Sequence, residues 1–375
     1  MKFFKTITLL LWLLPAAALA QPEGSTMPSR GVRDTLHLTY EMLAGTSIPK
    51  TYEGMRKRPV FVQYYIPNLS DVSNLPILIA MSGAERSGSA QMNVWQRFAE
   101  QYGIIVLTPQ FFRKKDLEKL PENVRPIYTT GNYWGSNRYQ LGNVATGTIV
   151  EGGDKKLRPR SQWTYGIIEA LFDYVKMQIG SNAEGYYLFG HSAGGQFVGR
   201  MAMVYPEARI IRAVAASPSS WAWPAIDGFK GNDGKIYGWP YSIKDIYKDY
   251  KELAPCFEKD LYIMVGSLDT KTAALDMSPT AMAQGDRRTD RAANFYSACK
   301  KVAKKNKLKF NFKFAEVEGV GHGTKGIAFG GPDSRSVLLE DLGPNAAFRI
   351  LFEDVITGKA AANAGKEKKT KKAKK

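Results

Sequence analysis

Short apolar runs alternate with stretches of helical periodicity along the middle of the chain. Runs of four to eight residues that are apolar, or that alternate between apolar and polar positions, predict strands, and they are Val60–Ile66, Pro76–Met81, Ile104–Thr108, Tyr186–Phe189, Ile210–Ala216, Leu261–Val265 and Phe310–Val317. Segments with an apolar stripe predict the helices between them, namely Met92–Tyr102, Ile167–Ile179, Gln196–Tyr205, Asp290–Lys304 and Pro344–Ile356, with a short helical piece at Ser336–Leu342. This alternation predicts an α/β fold with a mostly parallel central sheet and helices on both faces.

Two loop-rich insertions interrupt this pattern, one near 110–159 and one near 217–255. Strand and helix signals resume after each of them, so both insertions belong to one sheet. We therefore expect a single folded domain over residues 21–358, and the sequence contains no internal repeats.

The first 20 residues have the layout of an export signal. Lys2 and Lys5 precede an apolar run from Ile7 to Leu14, and small residues follow up to Ala20. This layout predicts a signal peptide that is cut before Gln21; an uncleaved anchor is the alternative. No other stretch is apolar over about 18 residues, so no transmembrane segment is expected. The predicted localisation is exported, either periplasmic or secreted.

Composition narrows the function classes. The chain has 375 residues, a formal net charge of +17, three histidines and two cysteines. Such a small supply of ligands excludes a zinc-finger array, an iron–sulfur protein and a disulfide-rich miniprotein. Residues 359–375 hold eight lysines and one glutamate without an aromatic residue, which predicts a disordered, solvated tail. A second interpretation is weak adhesion to anionic surfaces; specific nucleic-acid binding is not expected.

One motif points to a nucleophilic serine. The predicted strand Tyr186–Phe189 runs into Gly190-His191-Ser192-Ala193-Gly194 and then into a helix. In this context G-x-S-x-G forms a sharp turn, the nucleophile elbow, which exposes the serine hydroxyl above the sheet. Gly190 and Gly194 supply the space that the turn needs.

A serine hydroxyl needs a general base, and the base needs an orienting acid. Of the three histidines, His37 lies in an alternating strand and His191 is adjacent to the serine, so His322 in a glycine-rich loop is the candidate base. Asp269 follows the strand Leu261–Val265 and fits the chain order serine, acid, histidine. The rival carboxylates in the second insertion have no strand before them, and they are Asp227, Asp245 and Asp249.

The oxyanion hole requires two backbone N–H groups. One is expected from Ala193, directly after the nucleophile, and the other from the loop after an early strand. The strand Pro76–Met81 ends in small residues, and Ala84 is the first candidate donor with Gly83 the next.

Aromatic residues in the insertions have two interpretations. Trp134, Tyr139 and Trp221 could line a substrate pocket for an aromatic, sugar-linked or polymeric substrate, or they could pack the insertions against the body of the protein. The two cysteines also have two interpretations. Cys256 and Cys299 could form a disulfide at one end of the sheet, since disulfides persist in exported proteins, or they could remain two buried thiols.

With Ser192, Asp269 and His322 in this order, the chain resembles the α/β-hydrolase superfamily. More narrowly it is similar to bacterial exported esterases of the poly(3-hydroxybutyrate) depolymerase-like and dienelactone-hydrolase-like group. The resemblance covers roughly Val60–Ile356, and its characteristic stretches are Tyr139–Asn143, Tyr187–Phe197, Pro206–Arg209, Ala281–Gly285 and Gly319–His322. It implies that these three residues form the catalytic triad of a serine hydrolase that needs no metal or cofactor.

We expect an exported serine esterase that acts on a small or polymeric ester. Two alternatives stay open at this point. One is a serine peptidase of the same fold, although such enzymes usually carry a large gating domain. The other is a non-catalytic binding protein that has kept the fold.

Overall fold

A computed structural model describes residues 29–120, 122, 125–128 and 133–358. The predicted signal peptide at 1–20 and the lysine-rich segment 359–375 lie outside the described residues. Across these ranges, every helix is either too short or too polar to cross a bilayer.

Ten strands and eleven helices make up the described chain. The strands are β1 Arg33–Leu38, β2 Val60–Tyr65, β3 Ile77–Met81, β4 Ile105–Gln110, β5 Tyr186–His191, β6 Ile210–Ala216, β7 Phe229–Lys230, β8 Ile236–Tyr237, β9 Leu261–Gly266 and β10 Lys313–Val317. The helices are α1 Tyr40–Ala44, α2 Gly88–Tyr102, α3 Lys114–Leu117, α4 Arg125–Tyr128, α5 Tyr165–Ile179, α6 Ala193–Val204, α7 Ala254–Phe257, α8 Pro279–Met282, α9 Arg288–Lys305, α10 Thr324–Phe329 and α11 Ala347–Ile356.

Eight strands form one sheet in the order β1-β2-β4-β3-β5-β6-β9-β10. The pairs β1–β2 and β2–β4 are antiparallel, and all the others are parallel. One face packs against α5, α6 and α9, and the opposite face against α2, α10 and α11. The predicted α/β class with helices on both faces of a mostly parallel sheet is confirmed.

The central strands are the most apolar because both of their faces are covered. All five residues of β3 and all six of β5 are buried, as expected for strands between two helical layers. The helices begin and end at residues suited to those positions. The Ser87 hydroxyl accepts from the Ala90 amide at the start of α2, and Gly103 ends that helix in the left-handed conformation.

The last part of the sheet differs from the prediction. The alternation of Phe310, Phe312 and Phe314 predicts a strand over the whole run, but β10 begins only at Lys313. Phe310 and Phe312 instead pack edge-on against Phe257, with ring centroids 5.4 Å apart in each pair. The alternating phenylalanines therefore mark side chains that pack at the end of the sheet, and Phe310 and Phe312 are not part of a paired strand.

The two cysteines are not joined. Cys256 and Cys299 are both buried free thiols, so the disulfide interpretation is wrong for this structure. The Cys256 sulfur instead lies 3.3 Å from the Tyr247 hydroxyl. Burial raises the pKa of both thiols, which makes them poor nucleophiles and explains why they serve as core residues.

Candidate active site

Three candidate side chains follow three strands in one half of the sheet. Ser192 comes directly after β5, Asp269 three residues after β9 and His322 five residues after β10. These strands run parallel within the order β5-β6-β9-β10. Their carboxyl ends therefore meet at one edge of the sheet, where ligands bind in open α/β sheets.

Ser192 lies in a strained turn between β5 and α6. Its backbone has φ 57° and ψ −117°, a conformation that L-residues rarely adopt. A Cβ added at Gly190 would lie 2.2 Å from the Gly194 carbonyl oxygen, and one at Gly194 would lie 2.4 Å from the Met81 carbonyl oxygen. Both positions therefore require glycine, as the motif predicts.

A hydrogen-bonded chain links the three side chains. The His322 Nε2 atom lies 3.1 Å from the Ser192 hydroxyl oxygen, and Nδ1 lies 2.8 Å from Asp269 Oδ2. Because an ionised carboxylate only accepts, Nδ1 carries the proton in this arrangement and Nε2 is free to accept the serine proton. Ser192 is half-buried and His322 is exposed, so a substrate can reach the reacting atoms from solvent.

Asp269 is buried, and Arg288 bonds to the carboxylate oxygen that His322 does not contact. Arg288, which is also buried, donates to Asp269 Oδ1 at 3.3 Å and to the carbonyls of Lys271 and Ala273. Burial raises the pKa of the Asp269 carboxyl, but the hydrogen bond from His322 and the charges of His322 and Arg288 more than offset it, so the pKa lies below its usual value. The carboxylate therefore stays ionised and can stabilise a positively charged imidazole.

His191 lies next to Ser192 but faces away from it. The ring is buried, Nδ1 contacts the Thr324 hydroxyl at 3.1 Å, and the ring centroid lies 4.6 Å from that of His322. Burial, and then the nearby charge of His322, lower the pKa of His191 to about 3. His191 is therefore a neutral packing residue beneath the candidate base.

The loop after β3 runs beside the nucleophile. The position of a Cβ on Gly83 would lie 3.7 Å from the Ser192 Cβ, and Ala193 begins α6 directly after the serine. Arg113 anchors the loop by donating to the carbonyl of Ala84 at 2.8 Å. Gly83 therefore lies beside Ser192, and Ala193 follows the serine directly, so both candidate donors are near the nucleophile.

Comparison with solved structures identifies the family. The chain is 31% identical to poly(aspartic acid) hydrolase-1 from Sphingomonas sp. KT-1, with a TM-score of 0.59, over 72% of this chain and 90% of that one. It is also similar to LpqC, a poly(3-hydroxybutyrate) depolymerase from Bordetella parapertussis, with 23% identity, a TM-score of 0.62 and coverage of 78% of this chain and 84% of that one. The chain belongs to the α/β-hydrolase superfamily. No family model and no curated protein sequence matches it.

The aromatic residues of this α/β-hydrolase are core residues rather than pocket residues. Trp134, Tyr139 and Trp221 are at most 2% exposed, so the substrate-pocket interpretation is corrected in favour of packing. The Trp134 indole donates to the Pro59 carbonyl, and Trp221 stacks on Phe295 with centroids 4.4 Å apart. Large aromatic rings stabilise the insertions because each buries a large apolar area.

Tyr139 also supports the candidate oxyanion loop. Its hydroxyl donates to the Ser82 carbonyl at 2.5 Å, and the Arg86 guanidinium lies 3.9 Å from the centre of its ring. The first insertion of the hydrolase therefore fixes Ser82, the residue that precedes Gly83.

The other histidine and the rival carboxylates lie elsewhere. His37 is half-buried in β1, where its Nδ1 contacts the Tyr128 hydroxyl at 2.9 Å. Asp227, Asp245 and Asp249 are exposed in the second insertion.

Sequence reasoning missed Arg288. The predicted helix starts at Asp290, which leaves Arg288 in a loop, whereas α9 begins at Arg288 itself. The Asp290 carboxylate, which accepts from the Arg287 backbone amide at 3.1 Å, is an acidic residue in the first turn and the one sequence signal that could have moved the helix start towards Arg288.

Proposed function

We propose that this hydrolase cleaves carboxylic esters through Ser192, His322 and Asp269. The hydrogen-bonded chain from Ser192 through His322 to Asp269 is the observation that carries the proposal. The Ser192 oxygen attacks the ester carbonyl while its proton moves to His322 Nε2. The developing oxyanion accepts hydrogen bonds from backbone N–H groups of Ala193 and of the Gly83–Ala84 segment.

The second half of the cycle returns the enzyme to its starting state. Protonated His322 gives its proton to the leaving alcohol, which leaves an ester between Ser192 and the acyl group. Water then attacks this acyl-enzyme, His322 takes a proton from the water, and the released serine regains it as the acid departs. Asp269 keeps Nδ1 protonated throughout and stabilises the imidazolium, and Arg288 holds Asp269 in place.

Amide hydrolysis is a second candidate. The similarity to a poly(aspartic acid) hydrolase at 31% identity favours it, and a net charge of +17 suits an acidic polymer. The same triad chemistry cleaves amides when His322 protonates a leaving amine. A non-catalytic role is disfavoured because Ser192 is reachable from solvent and hydrogen-bonded to a histidine.

A fluorophosphonate probe followed by mass spectrometry tests the proposal directly. The probe labels only an activated serine, so we expect a single adduct on Ser192 that disappears in Ser192→Ala and in His322→Ala. His37→Ala is the matched control and should be labelled like the wild type, because His37 lies in β1 away from the triad. A folded wild-type protein without any adduct would refute the triad.

Substrate assays then separate the two candidates. Hydrolysis of 4-nitrophenyl esters without release of amines from poly(aspartic acid) would support the esterase, and the reverse result would support the second candidate. In either case Ser192→Ala should lower the rate by about 10⁴-fold or more, since triad members act as a unit.

We also propose that the protein is exported after cleavage before Gln21. The charged and apolar layout of residues 1–20 supports this proposal. Intact mass of the protein from its native cell envelope or medium should correspond to a chain beginning at Gln21. A chain retaining Met1 in the cytoplasm would contradict it.

A further inference from the structure

A polar cavity of about 290 Å³ lies one helical turn from the candidate nucleophile. Gln196, in the first turns of α6, forms part of its wall, and its backbone amide donates to the Ser192 carbonyl at 2.9 Å. Residues from both insertions and from the segment after β9 complete the lining, and among them are Ser219, Ser220, Pro240, Tyr241 and Asp276. Since Gln196 lies one helical turn, about 5.4 Å, along α6 from Ser192, this wall of the cavity is within the length of a short acyl chain of the nucleophile.

Ser220 has one hydrogen left to donate. Its hydroxyl oxygen accepts from Gln196 Nε2 at 3.0 Å and from Arg200 Nη2 at 3.1 Å. A hydroxyl has two lone pairs and one O–H, so both acceptor positions are used and the O–H remains. Among the described residues no acceptor bonds to this O–H, and Ser220 lines the cavity.

A donor remains on this wall in either orientation of the Gln196 amide. If its oxygen rather than its nitrogen faced Ser220, Ser220 would donate to it and the Gln196 NH₂ group would turn away from Ser220. Arg200 cannot accept a hydrogen bond in either case. At least one donor hydrogen is therefore left over on this wall whichever way the amide is turned, on Ser220 in the first orientation and on Gln196 in the second.

A buried positive charge lies behind that donor. Arg200 is 1% exposed, and within the described ranges its guanidinium bonds only to the Pro240 carbonyl and to Ser220, while Nη1 has no partner. A buried charge that is not paired with an opposite charge is costly. Arginine prefers carboxylate and phosphate partners, so Arg200 favours an anion in the adjoining space.

One carboxylate already lines the cavity, but its oxygens are engaged. Asp276 accepts from the Tyr241 hydroxyl at 2.8 Å and from the Ser278 amide at 3.0 Å. The guanidinium of Arg291, which is fully buried, donates to the Asp276 backbone carbonyl. The lining itself therefore holds one carboxylate, and two buried arginines lie behind it.

We propose that this cavity is a subsite for a carboxylate carried by the substrate, with the Ser220 hydroxyl as the donor and Arg200 as the residue that positions and polarises it. The inference rests on the proposed function, since it specifies which esters or amides are preferred. Gln196 completes the subsite as the third member of the hydrogen-bonded group. A phosphate group is negatively charged like a carboxylate but is larger. A neutral carbonyl group can accept a hydrogen bond like a carboxylate but carries no charge.

Two esters that differ mainly in charge test the subsite. Mono(4-nitrophenyl) glutarate carries a terminal carboxylate where 4-nitrophenyl pentanoate carries a methyl group, and both release the same alcohol. We expect the wild type to have the higher kcat/KM for the glutarate ester, after subtraction of its spontaneous hydrolysis. Ser220→Ala should lower the glutarate-to-pentanoate ratio of kcat/KM by roughly 10- to 100-fold, mainly through KM.

The control is Ser70→Ala, which removes an exposed hydroxyl in the loop between β2 and β3, outside the cavity lining, and should keep the wild-type ratio. A merely structural role of Ser220 would lower both rates together and leave the ratio unchanged, which would overturn the subsite. Arg200→Lys keeps the charge but not the bond geometry and should retain part of the preference. If the wild type hydrolyses neither ester in a Ser192-dependent manner, it is the proposed function that fails.

Discussion

The nucleophile elbow and the histidine loop are joined by the hydrogen bond between Ser192 and His322, yet the two segments differ in how closely they are packed. The elbow, residues 190–194, is packed so closely that a methyl group at either of its outer glycines would overlap a backbone carbonyl. The histidine loop, residues 319–323, is half exposed, and no heavy atom of the described chain lies within 4 Å of a Cβ added at Gly323. The rings of His191 and His322 lie 4.6 Å apart and are tilted by 43°, but His191 is buried while His322 reaches solvent.

This difference separates two requirements of the site. The strained serine is held by packing that cannot relax, so its hydroxyl keeps a fixed position above the sheet. The base needs to move a proton between three partners, and the open space at Gly323 allows small adjustments of the His322 ring in front of a firmly held carboxylate. Changes in the elbow should therefore affect the fold and the chemistry together, whereas changes in the loop should affect chemistry only through His322.

Gly194→Ala should have the largest effect. The added methyl group would lie 2.4 Å from the Met81 carbonyl oxygen and 2.8 Å from that of Ser82, so α6 must shift away from β3. We expect a loss of about 2–3 kcal/mol in the free energy of unfolding, the upper range for overpacking, together with a large drop in hydrolysis. Urea unfolding and ester hydrolysis measure the two; a variant as stable and active as the wild type would contradict the packing argument.

Arg288→Met should come next, with its effect mainly on activity. The change removes the donor to Asp269 Oδ1 while keeping most of the side-chain volume, so the carboxylate loses the group that fixes its rotation. We expect kcat to fall by roughly 10- to 100-fold, the range that small misplacements of catalytic groups cause. The neighbouring Arg287 is exposed, so Arg287→Met is the matched control and should keep the wild-type kcat.

His191→Leu should change the pH dependence of stability. The folded-state pKa of His191 is about 3 and the unfolded value is 6.5, so below pH 6.5 the unfolded chain binds a proton that the folded chain does not. The wild type therefore loses stability as pH falls from 6.5 towards 3, by up to about 1.4 kcal/mol per pH unit from this group. Urea unfolding at pH 7, 6, 5 and 4 should give a shallower decline for the variant, and identical slopes would contradict a buried neutral His191.

Gly323→Ala should have the smallest effect. The backbone has φ −142° and ψ 123°, an ordinary extended conformation, and the new methyl group enters open space. We expect the free energy of unfolding to change by less than about 1 kcal/mol, with little change in kcat. Gly323→Ala and Gly194→Ala can be compared directly because the same methyl group is added on either side of the Ser192–His322 hydrogen bond. If Gly323→Ala lowered the free energy of unfolding by several kcal/mol, the histidine loop would be as tightly constrained as the elbow.

The sequence made the fold and the three central residues predictable because both depend on local signals. Apolar runs mark buried strands wherever they occur, and residues directly after parallel strands must reach one edge of the sheet. Ser192, Asp269 and His322 follow from that rule, and the structure brings them together. Their catalytic roles stay a prediction that labelling of Ser192 tests.

The remaining features depend on contacts between distant segments. Nothing near Trp221 or Tyr139 indicates whether a tryptophan or tyrosine in a loop faces substrate or core, because Phe295 and Phe197 that cover them lie far away in the chain. The same holds for Arg200, whose partner Ser220 belongs to another loop. Helix α10 was not expected either, since its six residues are too few for a periodic pattern.

The site draws on the ends of five strands, β3, β5, β6, β9 and β10, which span most of the folded sequence. Contacts between such distant segments form late, since loop closure must come first. Helices such as α5 and α9 depend on local contacts and can appear earlier during refolding. Recovery of hydrolysis therefore reports that these five strands have paired, while recovery of helical circular dichroism does not. The delay between the two signals measures the time that this assembly needs.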